Sequence, residues 1–319
     1  MSSNRMDDIF DSYEETSVDK GFGKHYYAHL GDDKYFIKSR KKPPNGNPWL
    51  IWRLRKEKMI TSVLSLQNTV TPRSHFVIED ECSLQVAFDS LKDSSYPVEE
   101  CYDDKNKIHA LVNRLVEFRN DLNTFYSENK SIPEVSERHV DTFPENGEMQ
   151  STREYFFNNR LTWKADYYKK YQTYKPVLEN ASQLAEENYD DEREQLIHGD
   201  LHLGNIGFNE RELLVFDWEI CTVFDYLYDV ATMESSIIDP LAKYNNNTTV
   251  KNIRSKFRNK LNISDYESEL LSIYKIHPLY MNYEYALTSD ESSTFENAEE
   301  SWRQLLESEI QEFQKLADA

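Results

Sequence analysis

The chain has 319 residues, enough for two modest lobes with a core each and too many for one small domain. Its 37 Lys and Arg stand against 57 Asp and Glu, a net charge of −20 that repels phosphate backbones and anionic lipid, which argues against nucleic acid or a membrane surface as partner. Cys82, Cys101 and Cys221 are widely spaced with no C-x-x-C pair, and no apolar run reaches membrane-spanning length, so neither a zinc site nor a disulfide framework nor a transmembrane helix is suggested and a cytoplasmic protein is expected.

From Val18 the chain reads as strand, glycine-containing turn, strand, turn at Gly31-Asp32-Asp33, strand. Gly21 and Gly23 let backbone N–H groups approach anionic oxygens with no side chain in the way. Lys38 closes the third strand, in a basic cluster with Lys34, Lys41 and Lys42. His25 and His29 would meet at i, i+4 only on a helix, and the strand context rejects them as a metal pair. After the Pro43–Pro48 loop a helix is expected from about Trp49 to Leu66, and Glu57 in its middle is its only glutamate, within i−4 reach of Arg53. Two more strands follow, His75–Glu79 and Leu84–Phe88, and a connecting segment begins at Asp89.

Beyond Tyr96-Pro97 the pattern turns helical. Ile108, Leu111, Val112, Leu115, Phe118, Leu122 and Phe125 form one apolar stripe, a core helix. Ser131–Gln150 has no periodicity and is expected to be an exposed loop. Thr152–Asn188 returns to helix and is crowded with aromatics, among them Tyr155, Phe156, Phe157, Trp163 and Tyr174; most read as core contacts, with an aromatic box for a cationic head group as the rival reading. Further helices are expected over Asp225–Ser236, Lys251–Lys260, Tyr266–His277 and Thr294–Leu316, the last an amphipathic cap.

The densest chemistry lies in Leu196–Glu219, L-I-H-G-D-L-H-L-G-N-I-G-F-N-E-R-E-L-L-V-F-D-W-E. An apolar pair runs into His198-Gly199-Asp200, Asn205 follows five positions after the aspartate, and a second apolar run delivers Asp217. This H-x-D-x-x-x-x-N segment with a later aspartate at a strand end is the order of a kinase catalytic loop. Phosphoryl transfer needs a carboxylate near the acceptor hydroxyl and oxygen ligands for magnesium; Asp200 can supply the first, Asn205 and Asp217 the second. His198-x-Asp200-x-His202 also invites a metallohydrolase reading, but no further histidine sits in a ligand motif, and no G-x-S-x-G elbow supports a serine hydrolase.

H-G-D-L-H-L-G-N-I, then V-F-D-W-E, then D-Y-L-Y-D-V-A, closely resembles the aminoglycoside phosphotransferase and choline kinase superfamily, over roughly 35 residues. The resemblance implies a two-lobed, protein-kinase-like α+β fold: a small N-lobe over 1–90 with an antiparallel sheet and one helix, and a larger, mainly helical C-lobe over 91–319 carrying the catalytic loop and acceptor-binding helices. It implies ATP as donor, Mg2+ as cofactor, Asp200 as catalytic aspartate, Asn205 and Asp217 as metal ligands, and Asp229 as a structural aspartate steadying the loop. On the same kinase plan Gly21, Gly23 and Lys38 contact the phosphates, Glu57 pairs with Lys38, and the backbone after Asp89 takes the adenine.

The expected activity is therefore transfer of phosphate from ATP to a hydroxyl of a small molecule: choline-like, an aminoglycoside or a sugar. The alternatives are a protein Ser/Thr kinase of the same fold and a nucleotide-binding regulator without turnover. Against the first, Glu219 leads within a few residues to Asp225–Asp229, with no A-P-E-terminated activation segment between. Against the second, Lys38, Asp200, Asn205 and Asp217 are all intact.

Overall fold

A strand's period of two sends Tyr35 and Ile37 to one face and Phe36, Lys38 and Arg40 to the other. That strand, β3 (Asp33–Lys41), is the middle of a five-stranded antiparallel sheet in the computed structural model, which describes residues 6, 8–16, 24–42, 48–65, 71–90, 104–130, 142–145, 148–157, 161, 170–208, 213–240, 247–288 and 298–317. Around it are β1 (Ser12–Glu15), β2 (Lys24–Leu30), β4 (Ser74–Glu79) and β5 (Ser83–Asp89), in the order β1-β2-β3-β5-β4. β1 lies in the acidic start of the chain, ahead of the stretch where the first strand was expected; Gly21 and Gly23 lie outside the described residues.

Each face of the sheet has its own filling. Ala28, Tyr35, Ile37, Ile78 and Ala87 pack with Met6 and Phe10 on one side. Leu84, Val86 and Phe88, in register with Arg40, Lys38 and Phe36, pack with Ile51 and Leu54 of helix α1 (Pro48–Ser65) on the other. The two buried cations of β3 therefore lie on the helix-covered face.

Contacts divide the chain into two compact units, Met1–Pro97 with Asn205–Cys221, and Val98–Gly204 with Thr222–Ala319. The first adds to its sheet a hairpin, Ile206–Phe208 with Leu213–Val215, and a single 3-10 turn, Trp218–Ile220.

The second unit is mainly helical. Helix α2 (Lys105–Asn129) starts at Asp104, whose carboxylate accepts the Asn106 N–H at 2.8 Å, and it buries Ile108, Leu111, Leu115, Phe118 and Leu122 as the stripe requires. Inside the expected loop 131–150 the strands Thr142–Glu145 and Glu148–Ser151 pair instead; the intervening Asn146-Gly147 is in sequence a hairpin signal that outweighs the lack of periodicity. The helical stretch expected over Thr152–Asn188 contains Thr152–Tyr155, a short helix opened by a Ser151–Glu154 capping box, and Tyr171–Glu187, a longer one. The described aromatics are packing: Phe156 stacks on Phe224 at 4.3 Å, and Tyr174 meets the Tyr280 and Tyr283 rings. Thr222–Asp225 is a strand paired with Glu194–Ile197, so the helix expected from Asp225 begins at Leu227.

A buried ion network ties the closing helices together. Lys275, fully buried, lies 2.8 Å from Glu309, 3.4 Å from Asp239 and 3.8 Å from Glu234, while Arg258 grips Glu234 with two bonds of 2.6 and 2.7 Å and Arg254 pairs with Asp239. Three cations offset three anions, so loss of one partner leaves a buried charge uncompensated. Lys275→Met is expected to destabilise the protein by about 3–5 kcal/mol, measured by urea unfolding followed by circular dichroism.

Candidate active site

In the first unit the sequence brings Lys38, Glu57 and Asp217 together from three elements. β3 supplies Lys38, the middle of α1 supplies Glu57, and the chain leaving the hairpin supplies Asp217. Lys38 Nζ donates to both Glu57 carboxylate oxygens at 2.9 and 2.8 Å and to Asp217 Oδ1 at 2.6 Å, with Glu219 Oε1 at 3.4 Å. Glu57 pairs with Lys38, 19 residues away, and not with Arg53 four positions back as the local alternative allowed.

Asp217 has φ 67° and ψ 56°, a left-handed conformation that costs a non-glycine residue about 1–3 kcal/mol and persists only where its surroundings impose it. Those surroundings are on hand. Trp218 is fully buried, its backbone N–H donates to Glu57 Oε1 at 3.2 Å, and its indole N–H donates to the Val215 carbonyl at 2.8 Å. The strained turn thus directs the Asp217 carboxylate to Lys38 while leaving its side chain 40% exposed, against 3% for Glu57. Asn205, buried, caps the other strand of the hairpin, where its carbonyl accepts the Phe216 N–H at 3.0 Å.

The electrostatics follow from this crowding. Burial works against the Lys38 charge, yet Asp217, then Glu57 and Glu219, outweigh it and hold the ammonium far above its ordinary range. Burial pushes Glu57 up to about 7, with Lys38 opposing and the other two carboxylates pushing the same way as burial. Ligand oxygens of Glu57, Asp217 and Glu219 lie within 4.8 Å of one another, a set of hard donors of the type divalent magnesium takes. All three are engaged by cations of the same unit, and Asp217 is the most exposed of them. Glu219, two positions after Asp217 in the V-F-D-W-E segment, could in sequence touch metal, orient Asp217 or be a solvated carboxylate; in the structure it is a buried member of the cluster.

In the second unit the loop carrying Asp200 is fixed from behind. The fully buried Asp229 carboxylate accepts the backbone N–H groups of His198 at 2.7 Å and Gly199 at 3.0 Å, with Arg119 Nη1 3.8 Å away, as the resemblance implied for a structural aspartate. Gly199 has φ 79°, a turn that a side chain would strain. His198 is fully buried and its Nδ1 accepts the Asp200 N–H at 3.3 Å, a bond that shapes the loop. His202 accepts the Gly204 N–H at 3.0 Å, and a Cβ on Gly204 would lie 2.8 Å from the His202 ring, so the two residues depend on each other. The Asp200 carboxylate stays partly exposed, with His202 Nε2 4.0 Å away.

With this geometry in view, the comparisons with known proteins give one consistent result. Residues 103–242 match the phosphotransferase enzyme family, APH. The match covers 140 of the 319 residues. The fold agrees. An amicoumacin kinase in complex with AMP-PNP, Ca2+ and Ami is similar at a TM-score of 0.57 and 12% identity, over 94% of this chain and 88% of that one. A mutant of aminoglycoside 2'-phosphotransferase-IIIa in its GDP complex is similar at 0.55 and 14%, over 94% and 91%. A choline/ethanolamine kinase family protein from Mesorhizobium loti is similar at 0.52 and 13%, over 97% and 88%. No curated protein matches the chain by sequence. The five-stranded sheet with one helix followed by a mainly helical region is thus the kinase-like fold of these enzymes, and among the described residues no helix is long and apolar enough to cross a membrane.

One more titratable group reports on the site. His25, opposite Lys38 on β2, is lowered from 6.5 to about 4, first by burial and then by Arg40 and Lys38, with Asp217 and Glu219 opposing. Between those two values the unfolded chain binds a proton that the native protein does not, so stability falls as pH drops from 6.5 towards 4 and the loss is complete below that. His25→Gln removes this contribution, and the stability gap between wild type and variant is expected to be constant above pH 6.5 and to shift against wild type down to about pH 4, read from urea midpoints across that range.

Proposed function

We propose that the protein transfers a phosphoryl group from ATP to a hydroxyl of a small molecule in a magnesium-dependent reaction. The observation that carries this reading is the Lys38–Glu57–Asp217 assembly of the first unit, built from residues up to 179 positions apart and requiring a strained Asp217 backbone. A strained backbone at a partly exposed carboxylate beside a buried cation suits a centre arranged for an anionic, metal-bound ligand.

In this reading Lys38 holds the phosphate oxygens nearest the nucleoside, and Glu57 fixes the direction of its ammonium. Gly21 and Gly23 supply backbone donors to the same phosphates. Asp217 and Asn205 hold the magnesium ion, which when bound neutralises charge on the transferring group. Asp200 orients the acceptor hydroxyl and accepts its proton late. Because the transition state is loose, positioning and charge neutralisation account for most of the rate. The acceptor belongs to the range that the similar enzymes represent: the APH(3'')-Id structure from Streptomyces rimosus holds streptomycin, and the amicoumacin kinase holds Ami. A choline-like amine, an aminoglycoside or a sugar each present the required hydroxyl.

A protein kinase is the less favoured reading. Between Asp217 and Leu227 the chain is one 3-10 turn and one four-residue strand, which supports the absence of a peptide-docking activation loop. An ATP-consumption screen against metabolites and antibiotics is expected to identify an acceptor, and turnover is expected to stop on chelation of the metal. Asp200→Asn is expected to lower kcat by about 10^2–10^4-fold while nucleotide affinity stays within about threefold by calorimetry; equal turnover in that variant would remove the aspartate from the mechanism. Nucleotide binding with no transfer to any acceptor would favour a regulator.

A further inference from the structure

The Lys38 centre contains a second cation that the kinase plan does not use. Arg40 lies two residues further along β3 on the same face, in register with Leu84 as Lys38 is with Val86. It is 3% exposed, with Nη2 donating to Glu219 Oε1 at 2.9 Å and Nη1 lying 3.2 Å from His25 Nε2 and 3.3 Å from the Ser39 carbonyl. Its Nε is buried and has no hydrogen-bond partner among the described residues. A buried guanidinium with an N–H left unused is an unfavourable arrangement in a finished ion pair and a favourable one in a site awaiting an anion.

We propose that Arg40 is a second polyphosphate-binding cation, acting beside Lys38, and that Glu219 holds its guanidinium in place until the nucleotide arrives. The inference rests on the nucleotide-binding reading given above. Glu219 does not depend on Arg40 for its own charge: Lys38 stands 3.4 Å from its Oε1 and Arg53 Nη1 3.9 Å from its Oε2, so the carboxylate stays compensated when Arg40 turns away. The planar fork of arginine can bind phosphate oxygens through two parallel N–H groups, which a lysine point charge cannot do. The position agrees with that use. The pairing of β2 on β3 begins at Lys24↔Ser39, directly after the Gly21-x-Gly23 stretch in sequence, so Arg40 stands at the end of β3 where β2 begins.

The test is calorimetric titration of wild type, Arg40→Gln and Arg40→Lys with adenosine, AMP, ADP and a non-hydrolysable ATP analogue, each with magnesium. If Arg40 meets the phosphates, Arg40→Gln weakens the ATP analogue by about tenfold or more, weakens AMP less, and leaves adenosine within about twofold, with Arg40→Lys intermediate. A residue that only supports the fold would weaken adenosine and the ATP analogue by the same factor, and an unchanged ATP-to-adenosine ratio in both variants overturns the proposal. Arg40→Lys keeps the charge and most of the bulk, so it decides the matter where Arg40→Gln does not fold. Wild type that binds no nucleotide sinks the kinase reading itself; wild type that binds with an unaltered ratio in the variants sinks the Arg40 inference alone.

Discussion

A lysine ammonium enclosed by three carboxylates is the constraint on which the first unit depends. Unit charges about 4 Å apart interact by roughly 4 kcal/mol at the effective dielectric of a protein, while each buried ion gives up its hydration. Such a group is stable only if every member is held by something other than the charges themselves. Here the holding is done by ordinary packing: Leu84, Val86 and Phe88 seat α1 on the sheet and so place Glu57, and buried Trp218 anchors the turn that presents Asp217. The left-handed backbone of Asp217 is the residue of conflict that this packing does not relieve.

The second unit solves a different problem with the opposite distribution of charge. Its loop must offer a carboxylate to solvent while keeping a fixed shape, and the carboxylate that supplies the shape, Asp229, is fully buried whereas Asp200 is not. Two short backbone bonds from His198 and Gly199 to the Asp229 carboxylate fix the loop from within. One aspartate is buried and the other, 29 residues away in the chain, is partly exposed; in the proposed reading the first carries structure and the second chemistry.

How much of this was legible in the sequence varies with the range of the interaction. Strands β2 to β5 and helix α2 follow from period-two and period-3.6 patterns, because those patterns are local, whereas β1 lies in the acidic start of the chain ahead of the expected first strand. Lys38 and Glu57 could be named from their order along the chain even though their contact spans a strand, a loop and a helix. Arg40 could not: among Lys34, Lys41 and Lys42 it reads as one more surface cation, and only the register of β3 shows that it faces inward with Lys38. The Lys275 network is likewise invisible to local reading, its six members coming from four separate segments that each look amphipathic alone.

The net charge of −20 bears on how such a site could take an anionic nucleotide at all. Surface carboxylates act on an approaching polyphosphate through solvent, where salt screens them beyond about 8–10 Å. Lys38 and Arg40 are almost wholly buried, so their attraction is exerted at short range in a medium that screens far less. Under the proposed reading the acidic exterior and the buried cations are therefore not in competition: the first weakens long-range capture of any polyanion, nucleic acid included, and the second, already matched by carboxylates, would favour a compact ligand that brings its own divalent cation. A polyphosphate with its metal largely neutralised meets little of the first effect and all of the second, and that difference is a source of selectivity that no single residue of the site supplies.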